Sequence, residues 1–461
     1  MPEREIKGKG GKMKKLIKVI LTGLIIALIA GCGKSNSSTP KGGTPDISFG
    51  TNGVVFTNNP GGGHSAVGIS IITDSQNRIL VTGWVMDNSG NQSMTIWRYN
   101  ANGTPDTSFG TNGAVITNTS AGGHSAVGNS IITDTQGRIL VAGYAEDGSG
   151  NCNMTIWRYN TNGTPDPTFG TNGVVFTNTA ARGITAVGGP ITIDTQSRIL
   201  VTGWAEDSSG NGGMTIWRYN ANGTPDTSFG TNGAVFTKSP GGGNFAQGSS
   251  IVMDTQGRIL VAGSADNNSG HGCMTMWRYN ANGTPDISFG TNGVVFTNNP
   301  AGIAWIEGSS IVTDRQGRIL VAGSEYDGSR NQYLMIWRYT TAGGLDPTFG
   351  TNGVVITNTS AGGIWAQGYS IVTDTLGKIL VTGWASDSSG HEYMTIWRYN
   401  PDGTPDTSFG MSGVLITNNS AGGIDANGCS ITTDTQGRIL VTGWIMDSSK
   451  NYYMTIWRFL P

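Results

Sequence analysis

The chain has 461 residues, of which 73 are Gly, 13% are charged and 8% are aromatic. That much Gly argues against a mainly helical protein, since each helical Gly costs about 1 kcal/mol against Ala, and no every-third-Gly period supports collagen. A hydrophobic share of 36% with 13 Trp is too rich for a disordered chain, which leaves an all-β, turn-rich protein.

The first segment reads as an address. Lys14, Lys15 and Lys18 precede an apolar run over residues 19–30, which ends at Leu28-Ile29-Ala30-Gly31-Cys32. A short basic stretch, a short apolar run and small residues before a Cys make a secretory signal. The run falls short of the roughly 20 residues that span a bilayer. The closing residues resemble the bacterial lipobox, which makes Cys32 the lipidated first residue of the mature chain. A tidy signal begins at Met13, so residues 1–12 are a candidate upstream mis-start. Gly33, where an Asp would favour inner-membrane retention, points to an outer-membrane lipoprotein. Residues 1–31 are thus expected to be a signal peptide, and 32–42 the lipidated Cys with a flexible polar tether. Without residues 1–31 the chain carries 21 bases and 28 acids, a net charge of −7. No basic stripe is present for nucleic acid.

From Gly43 to Pro461 the chain repeats seven times with a period of 60 and no insertion or deletion. Such a period points to a solenoid or a propeller. In the first repeat the strand-like runs are 54–57, 66–73, 79–84 and 94–99. Residues 74–78 form a tight hairpin turn between the second and third runs. Position 77 recurs as Gly137, Ser197, Gly257, Gly317, Gly377 and Gly437, as a left-handed turn position demands. Ile79-Leu80-Val81 is apolar on both faces, as in a sheet packed between two others.

Seven such units predict a seven-bladed β-propeller with four-stranded blades. Two features favour a ring over an open stack. The terminal repeats are not polar caps. The last strand of the seventh repeat lacks a fourth partner, and 54–57 can supply it, closing the ring. By analogy with other propellers, the small-residue run 66–73 would line the axis. Trp97 and its six counterparts would fill the wedge between outer strands.

These residues resemble the delta-60 repeat family of bacterial exported proteins. The resemblance rests on the segments 106–113, 134–143 and 158–160 with their counterparts, and covers 43–461. It implies a propeller and no particular activity. Gly344-Leu345 and Met411-Ser412 are small departures.

No catalytic motif, CxxC or metal-ligand spacing of His is present, so no catalytic residue, metal or cofactor is expected. Calcium at the Asn/Asp/Gly turns is not required, because turn chemistry explains them. Asp74 and Arg98 recur in every repeat and are expected to form a blade-internal ion pair or hydrogen-bond brace. The repeats differ in three windows: 64–69, 84–86 and 92–93. Strand direction puts all three on one face, around the mouth of the axial channel. The candidate ligand-binding residues there are Trp84, Tyr144, Trp204, Phe245, Trp305, Glu307, Glu325, Tyr326, Trp365, Trp384 and Trp444. An exposed aromatic-acidic rim suits sugar rings or a protein partner. The expected function is a monomeric, non-enzymatic, lipid-anchored binding propeller that engages a glycan or an envelope protein. A polysaccharide lyase or glycosidase using rim carboxylates, and a purely structural envelope protein, are the alternatives.

Overall fold

The computed structural model describes residues 42–461 apart from 58–59, 61, 119–121, 178–184, 298–304, 330, 358–361 and 418–422. The expected signal peptide, Cys32 and the tether before Gly42 lie outside the described residues. The described chain is all-β, with 28 strands and no helix among the described residues.

Each repeat supplies four strands in the expected order. In the first they are Val54–Thr57, Ser65–Thr73, Ile79–Met86 and Gln92–Tyr99. The three long strands form an antiparallel meander, with Thr73 opposite Ile79 and Ile79 opposite Tyr99. Two of them run past their expected ends, to Met86 and back to Gln92, because the ladder continues from Trp84–Met94 to Met86–Gln92, with Val85 opposite the polar Ser93. Backbone pairing does not require apolar side chains.

The fourth strand of each blade comes from the following repeat. Met94 faces Thr117 and Trp97 faces Ala114. Val54–Thr57 pairs with Tyr452–Phe459, with Val54 opposite Trp457 and Thr57 opposite Met454. No sheet closes on itself among the described residues. Neighbouring blades touch at one end through single parallel bridges, such as Gln92–Ser125 and Gln332–Trp365.

Both faces of the second long strand are buried, and alternate residues serve different neighbours. Leu80 packs with Ala126, Ile131, Val141 and Trp157 of the second repeat. Ile79 and Val81 pack with Leu440, Met454 and Ile456 of the seventh. Trp97 and its counterparts are core, at 0–6% exposure.

The innermost strand carries a bulge between Gly68 and Ser70. The bulge brings backbones so close that a Cβ at Gly83 would stand 1.9 Å from the Val67 carbonyl oxygen. After the bulge, the Ser70 hydroxyl accepts the Ile131 N–H at 3.4 Å, and Ser430 accepts the Ile71 N–H at the same distance. At the far end of the hairpin, Asn77, Gly137 and Ser197 have φ of 58°, 74° and 61°, the left-handed conformation expected at that position.

The repeated charges brace this frame. Asp74 pairs with Arg78 across the hairpin turn at 2.7 Å. Arg98 pairs with Asp106 at 2.8 Å, bonds the Ser108 hydroxyl, and lies 4.4 Å over the Phe109 ring. It also donates to the Thr161 carbonyl of the next repeat, so the brace is not confined to one blade.

The aspartates at the position of Asp106 are Asp46, Asp106, Asp166, Asp226, Asp286, Asp346 and Asp406. Burial raises the Asp106 carboxyl, but the Ser108 hydroxyl and amide and the Arg98 guanidinium outweigh it and hold it below the usual carboxylate range. The other six are lowered too, Asp406 to about 2. Each carboxyl therefore titrates lower folded than unfolded, and unfolding in acid takes up protons. This contribution is fully present above the unfolded carboxylate value of about 4 and is lost as pH falls below it. Denaturant melts across that range should show a steep, many-proton loss of stability below about pH 4. A stability that stays flat down to about pH 2 would contradict the brace.

Candidate functional site

The three variable windows meet at one end of the strands. Ser65 faces Met86 and Val67 faces Trp84 on one side of Ile79–Met86, and Met86 faces Gln92 on the other. The near-invariant turns 74–78 and 100–113 lie at the opposite end, beyond Thr73, Ile79 and Tyr99.

Between the innermost strands is a cavity of about 630 Å³, lined by residues from all seven repeats. Its wall includes the serines at the position of Ser70 in six repeats, with Pro190 in the third. The residues at the position of Ile69 also line it and differ in most repeats: Ile69, Asn129, Gly189, Ser249, Ser309, Tyr369 and Cys429. No Lys or Arg lines it.

None of the expected rim aromatics is fully exposed. Trp84, Tyr144, Trp204, Phe245, Trp305, Tyr326, Trp365 and Trp444 are half-buried. Trp384 is buried at 9% exposure, and its indole N–H donates to the Tyr369 hydroxyl at 3.3 Å. The expectation of an exposed aromatic rim is corrected accordingly. Physically, these rings cover backbone. Phe245 lies on Gly212 and Trp305 on Gly272, where an added Cβ would stand 2.6 Å and 2.4 Å from the ring. Trp204 packs on Phe245 at 5.8 Å, and Trp444 meets Tyr452 edge-on at 5.1 Å.

Of the candidate residues, Trp204, Glu307 and Trp444 line the cavity; the other eight do not. Glu307 accepts hydrogen bonds from Gln367 Nε2 at 2.7 Å and Ser324 Oγ at 3.2 Å. Ser324 Oγ in turn accepts from Gln332 Nε2 at 3.2 Å. Glu325 is raised by burial and by the nearby Asp327, and Tyr326 by burial and Glu307.

A second cluster joins the sixth and seventh repeats. The Glu392 amide donates to Asp425 Oδ1 at 2.9 Å. Burial and the Asp425 charge raise the Glu392 carboxyl. Burial pushes both the Tyr369 hydroxyl and the Cys429 thiol up to about 12. Among the described residues, no group of three or more His, Cys, Asp and Glu could hold a metal ion.

Sequence reasoning passed over Tyr369, Gln247 and Asn427, which also line the cavity. Their signal was present. The position of Val67 stays Val in the first three repeats and then becomes Gln247, Glu307, Gln367 and Asn427. Polar residues at that position of the innermost strands, three amides and the acid Glu307, are easily taken for surface.

Among known proteins, the chain is similar to a β-propeller domain of unknown function (DUF5122). That family matches residues 76–109, 137–169, 197–229, 257–289 and 377–409. The matches fall on equivalent parts of five repeats and support a β-propeller repeat family. No curated protein matches the chain. Among solved structures, a catalytically inactive virginiamycin B lyase from Staphylococcus aureus with quinupristin is similar at 11% identity and TM-score 0.45, over 88% of this chain and 99% of that one. A polysaccharide lyase of family PL25, an ulvan lyase, is similar at 8% identity and TM-score 0.47, over 87% and 95%. Trypanosoma rangeli sialidase with the inhibitor DANA is similar at 9% identity and TM-score 0.40, over 86% and 55%. Identities this low transfer no activity.

Proposed function

We propose that the chain is a seven-bladed propeller, closed by Val54–Thr57 on Tyr452–Phe459, that binds a glycan or an envelope protein without catalysis. It is held at the outer membrane by a lipid on Cys32. One observation carries the binding reading: seven near-identical repeats keep one end uniform and gather their differences at the other, around a cavity that all seven reach. Repeats selected only to add surface have no need of such a division.

The test is a glycan array and an envelope-protein pull-down with the full-length protein in detergent. Retention of a ligand by the wild type, and its loss on Trp305→Ala with Tyr326→Ala, supports binding at this end. Aromatic anchors of this kind typically cost about 2 kcal/mol or more when truncated. An inert wild type leaves the structural reading. The Asp425 charge, which with burial raises the Glu392 carboxyl, favours a second reading, a glycosidase or lyase acting through paired carboxylates. Oligosaccharide cleavage abolished by Glu392→Gln would establish it.

Anchoring is tested separately. Cys32→Ala is expected to move the protein from the membrane fraction to the soluble exported fraction, because stable anchoring depends on the acyl chains. Unchanged partitioning would refute the lipid anchor.

A further inference from the structure

We infer that the central cavity is a subsite for the end of a neutral oligosaccharide, with Trp204 and Trp444 as stacking faces and the Asn427 side-chain oxygen as a hydroxyl acceptor. The inference rests on the glycan-binding reading and goes further, naming the subsite and the charge class of the sugar.

Asn427 is the leading observation. It lines the cavity at 4% exposure, and its Oδ1 has no hydrogen-bond partner among the described residues. Its side chain lies near the Tyr369 hydroxyl and the Glu392 carboxyl, and lowers both. Buried polar atoms almost always have partners, so an orphan acceptor on a side chain that lines the cavity calls for a donor. The donor can be a sugar hydroxyl, an ammonium group or an N–H.

The rest of the wall selects among these. The serine hydroxyls that accept a neighbouring backbone N–H, such as Ser70 and Ser310, keep their own proton to donate. With Asn129, Gln247 and Asn427 they make a lining of neutral groups that both donate and accept. That pattern matches a polyol, whose hydroxyls also do both. With no Lys or Arg on the wall, an anionic sugar would meet no counter-charge. The lining carboxylate Glu307 already accepts from Gln367 and Ser324.

The two tryptophans supply the faces. Each is half-buried and held by a second ring, Trp204 by Phe245 and Trp444 by Tyr452. A braced ring loses little freedom when a ligand stacks on it. The cavity, at about 630 Å³, lies within the usual small-ligand range of about 300–1,000 Å³.

The experiment titrates the full-length protein in detergent with cellotetraose, mannotetraose and galactotetraose. Tetragalacturonate and the glucosamine tetramer serve as acidic and cationic counterparts. Tryptophan fluorescence and calorimetry report binding. At least one neutral tetramer should bind, with both charged tetramers weaker by about tenfold or more. Asn427→Leu and, as a milder variant that keeps a ring, Trp444→Phe should each weaken it by about tenfold, Trp444→Phe with unchanged melting temperature. Acrylamide quenching of the wild type should fall on binding, which tests the cavity even if a variant fails to fold. Tighter binding of a charged tetramer would overturn the inference. So would binding that survives Asn427→Leu yet is lost in Trp305→Ala with Trp365→Ala; that result leaves the rim reading standing. If no tetramer binds, the subsite falls, and the rim reading falls with it only if the array and pull-down are also blank.

Discussion

Removal of residues 43–57 is expected to unfold or aggregate the protein. Tyr452–Phe459 loses its partner strand, Val54–Thr57, over four paired positions. The core between the first and seventh repeats loses Phe49 and Val55. Arg458, 2% exposed in the intact chain, loses Asp46 at 2.9 Å, the Ser48 hydroxyl and the Phe49 ring. Stranding one member of a buried ion pair alone costs about 3–5 kcal/mol. The bare strand edge also invites pairing between molecules. Calorimetry and size-exclusion chromatography read the outcome. A large fall in melting temperature with aggregation is expected. A truncated protein as stable and monodisperse as the full chain would contradict ring closure.

The second large effect separates two classes of tryptophan. Trp277 is fully buried among Leu200, Met214, Ile216 and Val261. Trp277→Ala empties that space and should cost about 3–5 kcal/mol. Trp305 is half-buried and caps Gly272. Trp305→Ala should cost no more than about 1 kcal/mol, in the range of an ordinary point substitution. The two melts should therefore separate clearly. Equal destabilisation would make Trp305 a core cap and remove it from the binding surface.

Much of this architecture is legible in the sequence, for a physical reason. A sixty-residue unit copied without insertion repeats its turn chemistry, so each strand boundary is marked seven times over. Asn77, Gly137 and Ser197 show it well: three residue types share one left-handed turn. The double-sided burial of Ile79-Leu80-Val81 was readable because both faces are apolar. The site was less legible. The candidate rings are spread along one end, and whether each faces solvent depends on the neighbouring repeat. Phe245 and Trp305 are half-buried because Gly212 and Gly272 leave room beneath them, a contact across repeats that no local pattern encodes. Asn427 and Tyr369 were missed because their roles come from the cavity, which exists only when the innermost strands of all seven repeats stand side by side. Gly83 was missed as well. Its requirement is a carbonyl oxygen across the bulge, not a turn.

The claim that the variable end is the binding end is tested most directly by hydrogen exchange. Exchange of the full-length protein is measured with and without the glycan or protein that the array or pull-down retains. Protection is expected at residues 64–69, 84–86 and 92–93 and at their counterparts in the later repeats, with the turns at 74–78 and 100–113 unchanged. Protection centred on those invariant turns, or no protection anywhere, would contradict it.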